Sequence, residues 1–291
     1  MRAPWLPGAA AGAVLAMLAL AAPAAGGAAR AARGGGSPAV GGSYYVALGD
    51  SLSTGGGAQP GQGYVDRIFD WAAGSVPGLQ LEDLGCGGDS TTRMIEGGLC
   101  HDYTTGNQLG DAELFLSAHP GEVRFATIDV GGDDIVGCGL SGTLNPTCIQ
   151  RALEHIVANM PVILGGLRAA GGESLPIVGM TYYDPILAFW LTGPAGEQTA
   201  HESVGVLKTL NRDLLKAYRR YHVKVANVAK AFASTDWRMT GSWEGRTLPQ
   251  NVADICNWTH MCEAEPNIHT TDHGHELIAG RYEALLRRAV R

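Results

Sequence analysis

Five short apolar runs recur along the chain, at residues 44–48, 79–84, 123–130, 175–180 and 222–228. Runs of this length, rich in Val, Ile, Leu and Tyr, read as strands buried on both faces. Between them the apolar residues fall at helical intervals. In 64–73 this places Tyr64, Val65, Ile68, Phe69 and Ala72 on one face, and 109–118, 149–167 and 199–221 repeat the pattern. Pro161 should kink the third of these helices. A last helix is expected from Asp272, with Asp272 as its N-cap and Leu277, Ile278, Tyr282, Leu285 and Leu286 along its apolar face. Strands alternating with helices imply an α/β fold with a mostly parallel sheet covered on both sides. Five strands fit a flavodoxin-like three-layer α/β/α sandwich.

Two stretches escape the pattern. Residues 181–196 carry Tyr182, Tyr183, Phe189, Trp190 and Leu191, which would suit an acyl-binding groove or, equally, the core. Residues 232–251 show no clear period and are expected to cross the surface. The first 42 residues are different again. Arg2, an apolar run over 9–22 and the small residues Ala22-Pro23-Ala24-Ala25 have the form of a secretory leader, 1–25. An uncleaved anchor is the alternative, although the run is short and rich in alanine. Residues 26–42, full of Gly and Ala, read as a tether, which leaves 43–291 as one domain.

Composition narrows the function classes. Hydrophobic residues make up 45% of the 291, enough for a core of that size. The net charge is −7, and losing Arg2 with the leader makes it −8 (−7 − 1). An acidic chain without a basic block is a poor nucleic-acid binder. Once the leader is gone, no stable membrane anchor is expected. The six cysteines include no Cys-x-x-Cys pair, which argues against a zinc site. Their even number in an exported chain points to disulfides, and their spacing suggests local loops, Cys86 to Cys100, Cys138 to Cys148 and Cys256 to Cys262.

The candidate chemistry sits at the two ends of the domain. The first apolar run stops at Gly49-Asp50-Ser51-Leu52, followed by Gly55, Gly56 and Gly57. A serine on such a turn faces the strand's carboxyl end, where α/β folds place their clefts. The same residues also make an ordinary turn. A serine hydroxyl is nearly inert until a base takes its proton. His269, on a loop just before the last helix, is the candidate base, with His273 and His275 as competitors.

With the blocks Asp83-Leu84-Gly85-Cys86-Gly87-Gly88-Asp89-Ser90-Thr91 and Ile128-Asp129-Val130-Gly131-Gly132-Asp133-Asp134, the chain resembles the GDSL, or SGNH, hydrolase superfamily. It is most similar to the secreted actinobacterial-type esterases and lipases of that group. The resemblance covers nearly the whole of 43–291. It implies the flavodoxin-like fold, the same three disulfides, catalytic Ser51 and His269, and His275 packed within the last helix. It also implies an oxyanion hole built from the amide of Ser51, the amide of Gly88 and the side chain at position 133. The implied protein is a secreted serine ester hydrolase acting on a lipid or acylated glycan, with no cofactor and no metal. Acyl transfer to a sugar or lipid would use the same site.

Two positions depart from the family pattern. Asp133 stands where an asparagine donor is expected, and an ionised carboxylate only accepts hydrogen bonds. Losing one oxyanion donor costs roughly 10²–10³ in rate. A protonated Asp133 would restore the donor, and a binding protein without turnover is the alternative. Three residues before His269, where the wider family often has aspartate, stands Pro266, and Asn267 follows it. Glu263, Glu265, Asp254 or a main-chain carbonyl remain as candidates to orient the imidazole.

Overall fold

Tyr45, Val46, Ala47 and Leu48 are fully buried, so their strand must lie inside the sheet rather than at its edge. In the computed structural model, which describes residues 42–291, this strand is β1 (Ser43–Gly49). It pairs in parallel with β2 (Leu79–Asp83) on one side and β3 (Val123–Asp129) on the other. Then β4 (Ile177–Met180) joins β3, and β5 (Lys224–Ala226) joins β4, giving the parallel order β2-β1-β3-β4-β5. The expected leader 1–25 and all but the last residue of the tether lie outside the described residues.

Helices form the crossovers. α1 (Tyr64–Ala73) leads to β2, α2 (Thr91–Glu96) and α3 (Gln108–Ala118) to β3, and α4 (Gly132–Ile135) and α5 (Pro146–Gly171) to β4. α6 (Pro194–Arg220) leads to β5, and α7 (Val228–Ala231), α8 (Gln250–Trp258) and α9 (Asp272–Leu286) follow it. α2, α3 and α6 pack on α5, whereas α1 packs on α9, so both faces of the sheet are covered. The sheet therefore has its topological switch between β1 and β3, where chains of this order open a crevice at the strands' carboxyl ends. Among the described residues no helix is long and apolar enough to cross a membrane.

The α/β sandwich expected from the pattern is the one observed, with differences at specific places. Residue 272 is not the N-cap of α9. Thr271 holds that position and accepts from the Gly274 amide, while the Asp272 carboxylate accepts from the Gln59 amide at 2.7 Å. α5 extends beyond the expected 149–167 at both ends, with Pro161 inside it. α6 starts at Pro194, where a missing N–H costs nothing in a first turn.

The segment 232–251 is not a plain surface crossing. Phe232 is fully buried, stacked on Tyr183 and edge-on to Trp258. Beyond it a hairpin joins β6 (Gly241–Trp243) to β7 (Arg246–Leu248). Both of its turn residues, Glu244 (φ 47°) and Gly245 (φ 74°), are left-handed, as a two-residue hairpin of this twist requires.

Candidate active site

The turn after β1 is fastened from several sides. Asp50 is buried, accepts from the Leu52 amide at 2.9 Å, and offers its main-chain carbonyl to the Ser53 hydroxyl at 2.8 Å. Gln108, at the start of α3, grips Gly49 twice. It accepts the Gly49 amide at 2.7 Å and donates to the Gly49 carbonyl at 3.0 Å, while also donating to Asp89 at 2.9 Å. Ser51, between these anchors, remains partly exposed.

His269 reaches Ser51 across a separation of 218 residues, with Nε2 at 2.7 Å from Oγ. Its loop is pinned by an antiparallel bridge between Thr259 and Thr270 and by the Tyr183 hydroxyl, which donates to the Ile268 carbonyl at 2.7 Å. Burial, and then the neighbouring His260, hold the His269 pKa below the usual imidazole value. On the far side of the ring, Nδ1 lies 2.5 Å from Asn267 Oδ1.

The glycine loop forms the floor beneath the imidazole. A Cβ on Gly56 would stand 2.8 and 3.0 Å from the His269 ring and 2.7 Å from the Ser51 carbonyl, so only glycine leaves room for that ring. Two other histidines hold the loop. His275 is fully buried, and its Nδ1 takes the Tyr64 amide at 3.1 Å. That leaves Nε2–H to donate to the Gly56 carbonyl at 2.9 Å. His260 places Nε2 at 2.9 Å from the Gly57 carbonyl and Nδ1 at 2.6 Å from Glu263. Burial lowers the His260 pKa, but these two acceptors outweigh it and the net shift is upward. His273 points outward and meets Glu276 at 3.1 Å.

Ser51, His269 and Asp133 line one cavity. Asp50, Asp184 and Ser203 also line it, and the rest of its wall is mainly apolar, with Ile135, Leu144, Ile149, Ile186, Leu207 and Leu210 facing in from α4, α5, α6 and the intervening loops. Tyr182 and Tyr183 serve as both core and wall, being buried and cavity-lining. Trp190 lies elsewhere, against His201 and Trp237. Gly88 is not among the cavity's lining residues. It takes a left-handed φ of 86° in the loop after β2, where a Cβ on its neighbour Gly87 would stand 3.9 Å from Ser51 Cβ.

Asp133 has its pKa pushed up to about 7, first by burial and then by the charges of Asp50, Asp134 and Asp89, against a smaller pull from Arg93. Asp134 is engaged elsewhere, accepting from the amide and hydroxyl of Thr91 at 2.7 and 2.6 Å. Beneath the serine turn lies a second acid pair, Asp50 and Asp129, both buried. The Tyr182 hydroxyl donates to Asp50 at 2.7 Å, and the Tyr64 hydroxyl donates to Asp129. Burial raises both pKa values, and Asp129 also pushes Asp50 upward. Asp129 Oδ2 finds no hydrogen-bond donor among the described residues.

The three disulfides frame these parts. Cys86–Cys100 spans from the Gly87–Gly88 loop, Cys138–Cys148 ties the cavity-lining Cys138 to the first turn of α5, and Cys256–Cys262 joins α8 to the loop of His260. Neither Glu263 nor Asp254 orients His269. The first pairs with His260, and the second accepts from Gln250 at 2.7 Å. Glu265 is exposed. Gln108, Tyr64 and Asn267 carry contacts that no local motif announces, because each bonds to a loop fixed only by the fold.

The family model described as GDSL-like lipase/acylhydrolase matches residues 47–277. Among solved structures, the extracellular lipase from Streptomyces rimosus superposes with a TM-score of 0.54 at 19% identity, covering 85% of this chain and 99% of that one. The phospholipase A1 from Streptomyces albidoflavus NA297 gives 0.49 at 20%, with 85% and 99% covered. The psychrotrophic esterase EstA from Pseudoalteromonas sp. gives 0.45 at 15%, with 84% and 97% covered. No curated protein matches the chain.

Proposed function

Because the chain belongs to the GDSL-like lipase/acylhydrolase family, we propose that it is a secreted ester hydrolase that works through an acyl-enzyme on Ser51. His269 Nε2 takes the Ser51 proton as Oγ bonds to the ester carbonyl carbon, and the carbonyl electrons move to oxygen. The tetrahedral intermediate then collapses, the C–O bond to the alcohol breaks, and the imidazolium returns its proton to that alcohol. Water repeats the sequence and releases the acid. The oxyanion takes donors from the amides of Ser51 and Gly88 and from a protonated Asp133. The apolar wall of the cavity suits an acyl chain, and three disulfides suit an oxidising compartment.

The observation that carries this reading is the 2.7 Å contact between Ser51 Oγ and His269 Nε2. A fluorophosphonate probe tests it. Labelling should map to Ser51 and be lost in Ser51→Ala and His269→Ala, together with cleavage of p-nitrophenyl esters. Folded wild-type protein that refuses the probe would favour the second reading, a lipid- or glycan-binding member of the same fold. Asp133 is what favours that reading, since an ionised carboxylate at about 4 Å opposes an oxyanion by about 4 kcal/mol at an effective dielectric of 20.

A further inference from the structure

The side chain that faces His269 away from the serine is neutral, and it makes two bonds with one oxygen. Asn267 Oδ1 lies 2.5 Å from His269 Nδ1 and accepts the His269 main-chain amide at 3.0 Å. The amide contact identifies the atom as the carbonyl oxygen, since an NH₂ group has nothing to offer an N–H. Nδ1 therefore carries the hydrogen, and Nε2 keeps the lone pair that faces Ser51. From this geometry we infer that Asn267 is the positioning residue of the site, an uncharged acceptor that fixes the base tautomer of His269. This rests on the Ser51–His269 reading above and extends it.

The surroundings show why a neutral residue belongs there. The family's pattern pairs an amide in the oxyanion hole with a carboxylate behind the histidine. In this chain a carboxyl stands at 133, proline at 266, and the amide of Asn267 faces His269 Nδ1. A carboxylate at 267 would hold a proton on His269, yet Asp133 can donate only at a pH where it keeps its own. Removing the anion from behind the ring frees the imidazole at lower pH and lets both conditions hold together.

The other ionisable groups around the ring act in the same direction or are already engaged. His260 opposes a positive charge on His269, and His275, packed on the same loop, is held by Tyr64 and Gly56. Glu263 is taken by His260, and Asp272 by the Gln59 amide. Within the cavity stand Asp50, Asp133 and Asp184, the first bonded to Tyr182 and the last accepting from the Ser203 hydroxyl at 2.7 Å.

Asn267→Ala and Asn267→Asp, read by the pH profile of kcat and KM on a p-nitrophenyl ester, test the assignment. Asn267 is exposed, so both variants should fold, and an unchanged melting temperature checks that. In Asn267→Ala we expect kcat to fall about tenfold to a hundredfold with KM within about twofold, as for loss of an orienting partner. In Asn267→Asp we expect kcat to recover while the acid limb moves up by about 0.5 to 1 unit, a shift limited by solvent screening. Adding Asp133→Asn to Asn267→Asp should widen the profile on its alkaline side. If Asn267→Ala matches the wild type, the inference falls. It also falls if both single variants lose the same activity with no movement of the acid limb, because Asn267 would then only shape the turn. A Ser51→Ala protein that stays active would instead defeat the serine reading itself.

Discussion

In the proposed reaction Asp133 has to carry a proton to donate to an oxyanion, and His269 has to lack one to accept from Ser51. The first condition holds below about 7, and the second holds above a pKa kept under the ordinary imidazole value. Their overlap predicts a narrow bell for kcat/KM with its alkaline limb near 7. Asp133→Asn should abolish that limb and raise kcat at pH 8 by about tenfold or more, measured by initial rates on a short acyl ester. A fall in kcat at pH 8, in a variant that melts as the wild type does, would refute the role of the proton. Ser51 and His269, which the structure brings to 2.7 Å, each sit beside a recognisable turn or helix start. Asn267 was visible as a residue but not as a partner. Which oxygen meets Nδ1 depends on how residues 260–270 fold back between His260 and the Thr259–Thr270 bridge.

The elements around the cavity set what can enter. Its apolar wall combines α6 with two short stretches, the one after α4 and the 3-10 turn at Pro185–Thr192. Val206, on α6, lines it and is only partly buried, so a larger side chain there can turn into the cavity without breaking the core. Val206→Trp should lower kcat/KM for a long-chain ester at least about tenfold while leaving a two-carbon ester within about threefold, measured on a chain-length series. Equal losses on both would mean that acyl chains lie elsewhere. The wall was only half legible. Tyr182 and Tyr183 follow a visible strand, and the turn signal at Asp184-Pro185 marks where the chain bends. Phe189 and Trp190 look equivalent to them in composition but sit outside the cavity lining. The hairpin was missed because three-residue strands joined by Glu244-Gly245 lack the Asn-Gly signal that a longer one would show.

Across the whole molecule, buried acids gather at the carboxyl end of the sheet. Asp50, Asp89, Asp129, Asp133, Asp134 and Asp184 all have their pKa raised, with burial the largest cause in each. In the unfolded chain they ionise near pH 4, whereas the folded chain holds their protons longer. For Asp89, Asp129, Asp133 and Asp184 the stability they contribute is therefore full below about 4 and is lost as pH rises through about 6 to 7. His269 and His275, both lowered by burial, act oppositely and lose stability as pH falls below the usual imidazole value. The melting temperature should peak in mildly acid solution and be lower at pH 8 than at pH 6 by about several degrees, as scanning calorimetry would show. A flat or rising trend would contradict it. The layer order was the most legible property of all, because five buried strands alternating with amphipathic helices leave few ways to cover both faces of a sheet.

Ser51 stands on the turn after the first strand of the domain, and His269 on the loop before the last helix. A ribosome finishes one long before the other. Every shorter nascent chain, and every molecule whose final helix has not yet docked on the first, lacks a working pair. On the proposed reading, ester cleavage marks the end of folding rather than its onset.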